Sequence, residues 1–209
     1  MSTALGLLEF KTIPVAVEAT GEMLKASEVD LILATPICPG KYITIISGEV
    51  ANVTTSIKRG VMVGDLFVVD SHVIPNVSEA VMPAISGATM IEEMESIGII
   101  ETIAAVGAVM AGDIVAKAGQ VKLIEIRLAR GLGGKGEVFF TGELGSVEAA
   151  AKAALDRLGQ DGGIVSSAVI ARPHKKVLAA IALAELLHSH KSLFHYESRF
   201  VFNAKRLHL

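Results

Sequence analysis

The feature that most limits what this chain can fold into is an internal duplication. Ala4-Leu5-Gly6-Leu7-Leu8-Glu9-Phe10 returns as Ser96-Ile97-Gly98-Ile99-Ile100-Glu101-Thr102. Further pairs follow in the same order: Leu24-Lys25-Ala26 with Ala116-Lys117-Ala118, residues 29–33 with 121–125, and Gly40-Lys41 with Gly134-Lys135. Gly48-Glu49-Val50 then matches Gly142-Glu143-Leu144, and residues 68–74 match 164–170. The spacing between partners grows slightly along the chain, as short loop insertions would make it. A repeat of this length means two copies of one supersecondary unit, with homologous surfaces that must be covered or exposed in each copy.

Each copy reads strand, helix, two strands, helix, strand. In the first, strands are expected over 4–10, 29–34, 41–47 and 66–74, with helices over about 15–27 and 50–63. In the second, strands are expected over 96–102, 121–128, 137–141 and 163–170, with helices over 106–118 and 146–159. Ser146 looks like the cap of that last helix, with Glu148 in its first turn and Gly159 and Gly162-Gly163 ending it. The fold class is therefore α+β: two tandem ferredoxin-like-type βαββαβ modules. The expected domains are 1–78, a linker over 79–95, a second module over 96–175 and a tail over 176–209. Val77, Val81, Ile85, Met90 and Ile91 give the region between the modules enough apolar residues to pack, beside an acidic run at Glu92, Glu93 and Glu95.

Composition narrows the function classes. Apolar residues make up 51% of the 209 positions and mean hydropathy is +0.54. No run reaches the roughly 18–20 uncharged residues of a membrane span; the most apolar stretch, Ile97 to Val115, holds Glu101 and Asp113. No secretory signal is visible. So apolar a chain is expected to bury surface in subunit contacts as well as in its core. A net charge of −3 with mixed signs, no Trp, two Tyr and seven Phe argue against a nucleic-acid partner. The tail has no counterpart in the first copy after about residue 180. It carries His188, His190, His195 and His208, whose spacings do not share a helical face, so it reads as a disordered or vector-derived end rather than a metal site.

The only cysteine, Cys38, lies in Thr35-Pro36-Ile37-Cys38-Pro39-Gly40-Lys41, read as a loop between two apolar runs. One cysteine makes no internal disulfide, which suits a reducing compartment. By itself it reads as a small buried hydrophobe. Glu9/Glu101 and Glu49/Glu143 are repeat-related and lack a neighbouring His or nucleophile, so they read as structural rather than as acid–base pairs. Gly131-Leu132-Gly133-Gly134-Lys135 fails the spacing of a phosphate-binding loop and reads as a hairpin turn.

The paired openings at 4–9 and 96–101, the Lys-Ala pairs, Gly48-Glu49-Val50 and Ile170-Ala171-Arg172-Pro173-His174 together resemble the bacterial microcompartment shell domain. The likeness covers about residues 4–174. Two copies in one chain resemble the tandem-domain, trimer-forming type. Ile37-Cys38-Pro39-Gly40-Lys41, Pro83-Ala84-Ile85-Ser86-Gly87 and Gly131 to Lys135 are similar to its propanediol-utilisation branch, which carries an iron–sulfur cluster at the trimer centre.

The resemblance implies a homotrimer forming a pseudo-hexameric tile in the shell of an organelle in the bacterial cytoplasm. Its partners would be other shell proteins, edge to edge, and encapsulated redox enzymes, with no nucleic acid or membrane. It also implies a structural, non-enzymatic role. Cys38 is then the metal ligand: three copies on a three-fold axis would share one iron–sulfur cluster, a 4Fe-4S cube whose fourth iron takes another donor. Ile37, Pro39, Gly40 and Lys41 would form the pore loop with Leu132, Gly133 and Gly134, Leu132 standing where the first copy has Cys38. Lys25, Lys117 and Arg172 would be tile-edge contacts, the first copy having Asn76 in place of Arg172. The alternatives are a shell trimer with a plain metabolite pore, and a trimeric small-molecule sensor or enzyme.

Overall fold

The computed structural model describes residues 4–89, 94–129, 131–160, 162–178 and 181. Met90, Ile91, Glu92 and Glu93 of the linker and the four tail histidines lie outside them. The chain divides into two compact units, Met1–Pro173 and His174–Leu209. In the second, the N–H groups of Val177 and Leu178 donate to the His174 carbonyl, opening a helical turn.

The first unit holds both repeats. In order, β1 (Ala4–Phe10), α1 (Ile13–Ala26), β2 (Asp30–Ile37), β3 (Lys41–Gly48), α2 (Val50–Gly64) and β4 (Val68–Ile74) make the first module. A short helix α3 (Val81–Ile85) follows. Then β5 (Ser96–Thr102), α4 (Ala105–Ala118), β6 (Val121–Leu128), β7 (Gly136–Gly142), α5 (Leu144–Leu158) and β8 (Ile164–Ile170) make the second. Each module is an antiparallel four-stranded sheet, ordered β2-β3-β1-β4 and β6-β7-β5-β8. The duplication is preserved in detail: both sheets carry an irregularity at the same place in their outer pair, between Leu31 and Leu33 and between Leu123 and Glu125.

Alternation along β1 explains how the core divides. Ala4, Leu8 and Phe10 face the module's own helices, meeting Ala16, Ala19, Met23, Val53 and Ile57. Leu5 and Leu7, with Ile43 and Ile45 of β3, turn the other way into a larger cluster with Val106, Val109 and Ile114 of α4. Every residue of β1 is buried, as a strand covered on both faces requires. The first sheet thus has its own helices on one side and the second module's α4 on the other. Gly6 and Gly98, at matching positions in the central strands, leave room for side chains that lie over them: a Cβ at Gly98 would run into the ring of Phe140, its register partner on β7.

Three expectations are corrected. The stretch 35–41 is not one loop: β2 continues through Pro36 to Ile37, leaving only Cys38, Pro39 and Gly40 in the turn. Pro36 is tolerated because β2 is an edge strand, where a missing N–H need not break the ladder. Ser146 does not cap α5. The helix starts at Leu144 with Glu143 at the cap, so Ser146 and Glu148 lie inside it and no acidic residue occupies the first turn. Residues 66 and 67 belong to a 3-10 turn over 65–67, not to β4.

Candidate functional site

The two hairpin turns come together within one chain. In the first, the Gly40 N–H donates to the Ile37 carbonyl at 3.0 Å, and Gly40 has φ +84°, a left-handed geometry that only glycine adopts freely. The Cys38–Pro39 peptide bond is cis. Ile37 is buried and anchors the turn from below, while Cys38, Pro39 and Gly40 are exposed. In the second, Gly131, Gly133 and Gly134 all have positive φ, and the Lys135 N–H donates to the Leu132 carbonyl at 3.2 Å. Gly134 is packed against the first turn: a Cβ there would lie 3.0 Å from both Pro39 Cδ and Lys41 Cε.

Lys41 is the link between them. Its Nζ donates to the Gly134 carbonyl at 3.1 Å and is ion-paired with the fully buried carboxylate of Glu9. Glu9 reaches further. Its Oε2 accepts the Val106 N–H at 3.2 Å, in the first turn of α4, whose cap residue Ala104 offers no side-chain acceptor. A carboxylate from the first module therefore caps a helix of the second, where the helix dipole favours negative charge. Lys41, expected at the pore, has its ammonium directed into this network.

The repeat-related set is built differently. Lys135 pairs with Glu101 at 2.6 Å, and the second Glu101 oxygen accepts from Ser166 Oγ at 3.4 Å. The residue matching Val106 in α1 is Pro14, which has no N–H to give. Both carboxylates are structural, as their pairing suggested. Glu49 and Glu143 turn out to be matching helix-cap residues without side-chain capping bonds.

The proposed edge residues are spread over the surface. Lys25 is exposed and bonds Glu22 at 3.1 Å. Glu22 is also held by Arg59, and these two cations keep its carboxyl below the usual range. Lys117 bonds Asp113 at 2.7 Å, and Asp113 accepts the Ser78 N–H at 2.8 Å, tying the linker to α4. Lys117 and Asp113 also line a groove of about 460 Å³ with Ile74, Ile114 and Arg157. Arg172 is exposed, and Asn76 at the matching place has φ +51°, a geometry asparagine tolerates better than most residues.

A further cluster escaped the sequence reading. Arg127 lies over the Phe139 ring, 4.6 Å from its centroid, and bonds Glu125 at 2.7 Å and Glu137 at 3.4 Å. Its Nη2 is buried without a hydrogen-bond partner. Register places Arg127, Glu125, Glu137 and Phe139 where the first sheet has Thr35, Leu33, Ile43 and Ile45, on the face matching the one covered by α4. The alternation Glu125-Ile126-Arg127 was visible, but its charge partner on β7 requires the register to be known. Among the described residues, no group of three His, Cys, Asp or Glu side chains is placed to hold a metal ion, and no helix is long and apolar enough to cross a membrane.

Residues 4–77 and 96–173 both match the BMC domain model. The chain is 36% identical over 177 residues to the bacterial microcompartment shell protein PduT of Citrobacter freundii, covering 85% of this chain and 96% of that protein. It is 39% identical over 89 residues to the carboxysome shell protein CsoS1C of Hydrogenovibrio crunogenus, covering 42% of this chain and 85% of the relative. Among solved structures, a microcompartments protein from Desulfitobacterium hafniense DCB superimposes with a TM-score of 0.78 at 40% identity, covering 86% and 99% of the two chains. The fused permuted hexameric shell protein MSM0275 from the RMM microcompartment shares the fold, with a TM-score of 0.59, 22% identity and coverage of 77% and 86%.

Proposed function

The chain belongs to the BMC-domain family of bacterial microcompartment shell proteins, and we propose that it closes as a homotrimer whose centre binds an iron–sulfur cluster through Cys38. Its role is structural, in the shell of a microcompartment in the bacterial cytoplasm.

The observation that carries the trimer is the inequality of α1 and α4. Val109 of α4 is 0% exposed because the first sheet covers it; its repeat partner Val17 is 54% exposed. Ile13 and Leu24 are exposed beside it. A second copy of the chain, presenting its second sheet to α1 as the first sheet is presented to α4, repeats the same contact head to tail. Six modules from three chains then close a ring. The unpartnered Arg127 Nη2 lies on the sheet face this contact would cover, in keeping with a further acceptor from the neighbour.

For the cluster, the support is local chemistry. Each chain offers one accessible thiol, on a two-stranded turn whose tip is open: a Cβ at Gly40 would meet nothing within 4 Å. Leu132 in the matching turn has no donor, so three chains would bring three thiolates to the axis. That set suits a 4Fe-4S cube with one iron left for another donor. When bound, the cluster would supply one-electron transfer across the shell, with encapsulated redox enzymes and other shell proteins as partners.

Anaerobically purified protein tests both parts. Native mass spectrometry should give a trimer carrying one cluster, with broad visible absorption and an electron paramagnetic signal after reduction. Cys38→Ser should remain trimeric and lose iron and colour. Equal iron in that variant would overturn the cluster, and a colourless parent trimer would leave a plain pore.

A further inference from the structure

The groove beside Lys117 is a place where the two modules part company. It runs between α4 and α5, bordered by Val73, Ile74 and Pro75 at the end of β4, and holds about 460 Å³. Ile74 and Ile114 lie deep in it, at 4% and 9% exposure, with the half-buried Met110 beside them. In the first module the matching helices are bridged, because Glu22 of α1 and Arg59 of α2 form an ion pair. Their counterparts in the second module are Ile114 and Ala153, and Met110 stands where α1 has Glu18. Ala153 is too short to cross from α5 to α4 as Arg59 crosses from α2 to α1. A charged bridge in one copy is thus an apolar hollow in the other.

Charge returns at the rim. Arg157, in the last turn of α5, takes the place of Val63 and is exposed. The adjacent Asp156 is bonded to Lys152 at 2.6 Å, and Arg157 pairs with no carboxylate among the described residues. Asp113, the acidic residue of the lining, accepts from Lys117 Nζ at 2.7 Å and from the Ser78 N–H at 2.8 Å. Its charge is offset where it lies, so it does not oppose an anion at Arg157.

We propose that this groove binds an aliphatic monocarboxylate, its chain laid on Ile74, Met110 and Ile114 and its carboxylate held by Arg157. A guanidinium offers paired N–H donors that match the two oxygens of a carboxylate. Apolar walls with a few fixed polar groups are the usual make-up of a small-molecule site of this size. An amine of the same shape would set its charge against Arg157, so the site selects the acid. The proposal needs one chain only and is independent of the trimer and the cluster.

Methyl NMR of the full chain, with octanoate as the probe, tests it. Titration should shift the Met110 and Ile114 methyl signals to saturation. Acetate, which lacks the chain, and octylamine, which reverses the charge, should each bind more than about tenfold more weakly. Arg157→Gln removes an exposed charge and should weaken octanoate by roughly tenfold. Ala153→Leu fills the hollow and should abolish the saturable shifts at both methyls. Octanoate that leaves Met110 and Ile114 unmoved, or that still saturates them in folded Ala153→Leu, would overturn the site. Unchanged affinity in Arg157→Gln, or octylamine binding as tightly as octanoate, would overturn the assignment of a carboxylate. Should Ala153→Leu not fold, Arg157→Gln and the octylamine comparison decide.

Discussion

Helices α1 and α4 occupy the same place in their modules, yet they live in different surroundings. α4 is covered on opposite sides by the second module's sheet and by Leu5, Leu7, Ile43 and Ile45 of the first. α1 has a sheet on one side and leaves Ile13, Val17 and Leu24 exposed on the other. A solvated helix face is normally polar. Ile13 and Val17 match the buried Ala105 and Val109, and Leu24 matches the half-buried Ala116, so α1 keeps an apolar outer face without the cover that α4 has. In the proposed ring, burial in one repeat would be the template for what the other repeat meets in a neighbouring chain.

Substitutions at matched positions should separate these roles. The largest effect is expected for Val109→Asp, which places an unpaired charge between the modules and should cost more than about 4 kcal/mol, enough to prevent folding. Val17→Asp should leave the thermal unfolding of an isolated chain within about 0.5 kcal/mol of the parent. In the proposed ring it should abolish the trimer on size exclusion. If both variants behave alike, the two helices do not have the roles assigned to them.

Next in size is Glu9→Gln. It leaves Lys41 without its charge partner at a mostly buried site, and chemical denaturation should show a loss of about 3 kcal/mol. The matched Glu101→Gln, at a carboxylate 20% exposed, should cost about 1 kcal/mol or less. Gly134→Ala combines positive-φ strain with crowding against Pro39 and Lys41 and should cost about 2 kcal/mol. Gly131→Ala carries only the strain, about 1 kcal/mol.

The smallest effect depends on pH. Burial raises the Asp70 carboxyl, but the hydrogen bond and charge of His72 and the Ser71 N–H outweigh it, so the group is held below the ordinary range. A carboxyl lowered by folding contributes stability above its unfolded value, near 3.9, and loses it as pH falls through the folded value. Asp70→Asn should therefore cost under about 1 kcal/mol at neutral pH, since the pair is a third exposed, and nothing in strong acid. Ser166 occupies the matching place, so Ser166→Ala should show no acid dependence from this source. An unchanged difference between parent and Asp70→Asn across the acid range would contradict the assignment.

Much of the architecture was legible because the duplication lets each copy check the other. Strands β1 and β5 carry the same Gly and Glu at matching places, and the alternation of Leu5 and Leu7 with Leu8 and Phe10 is plain in the sequence. Boundaries were less legible where a local signal competes with tertiary context. Pro36 looked like a loop residue, yet it sits in an edge strand. Ser146 looked like a cap, while the chain enters α5 through Leu144-Gly145. In the candidate site, Cys38 and the glycine turn could be singled out, but the clasp between them could not. Lys41 meets Glu9 and Gly134 only once β1, β3 and the second hairpin are placed in space, and Arg127 meets Glu137 only through strand register.

The hydrogen bond from Val106 to Glu9 has a consequence for how such a ring would come apart. Within a chain this contact forms at an effective concentration fixed by the linker, on the order of millimolar, whatever the protein concentration. Between chains, Pro14 removes the donor and no linker holds the partners close. Dilution should therefore open every second junction first, releasing intact pairs of modules and never single ones. In the proposed ring, the fusion would make subunit exchange a property of three joints instead of six.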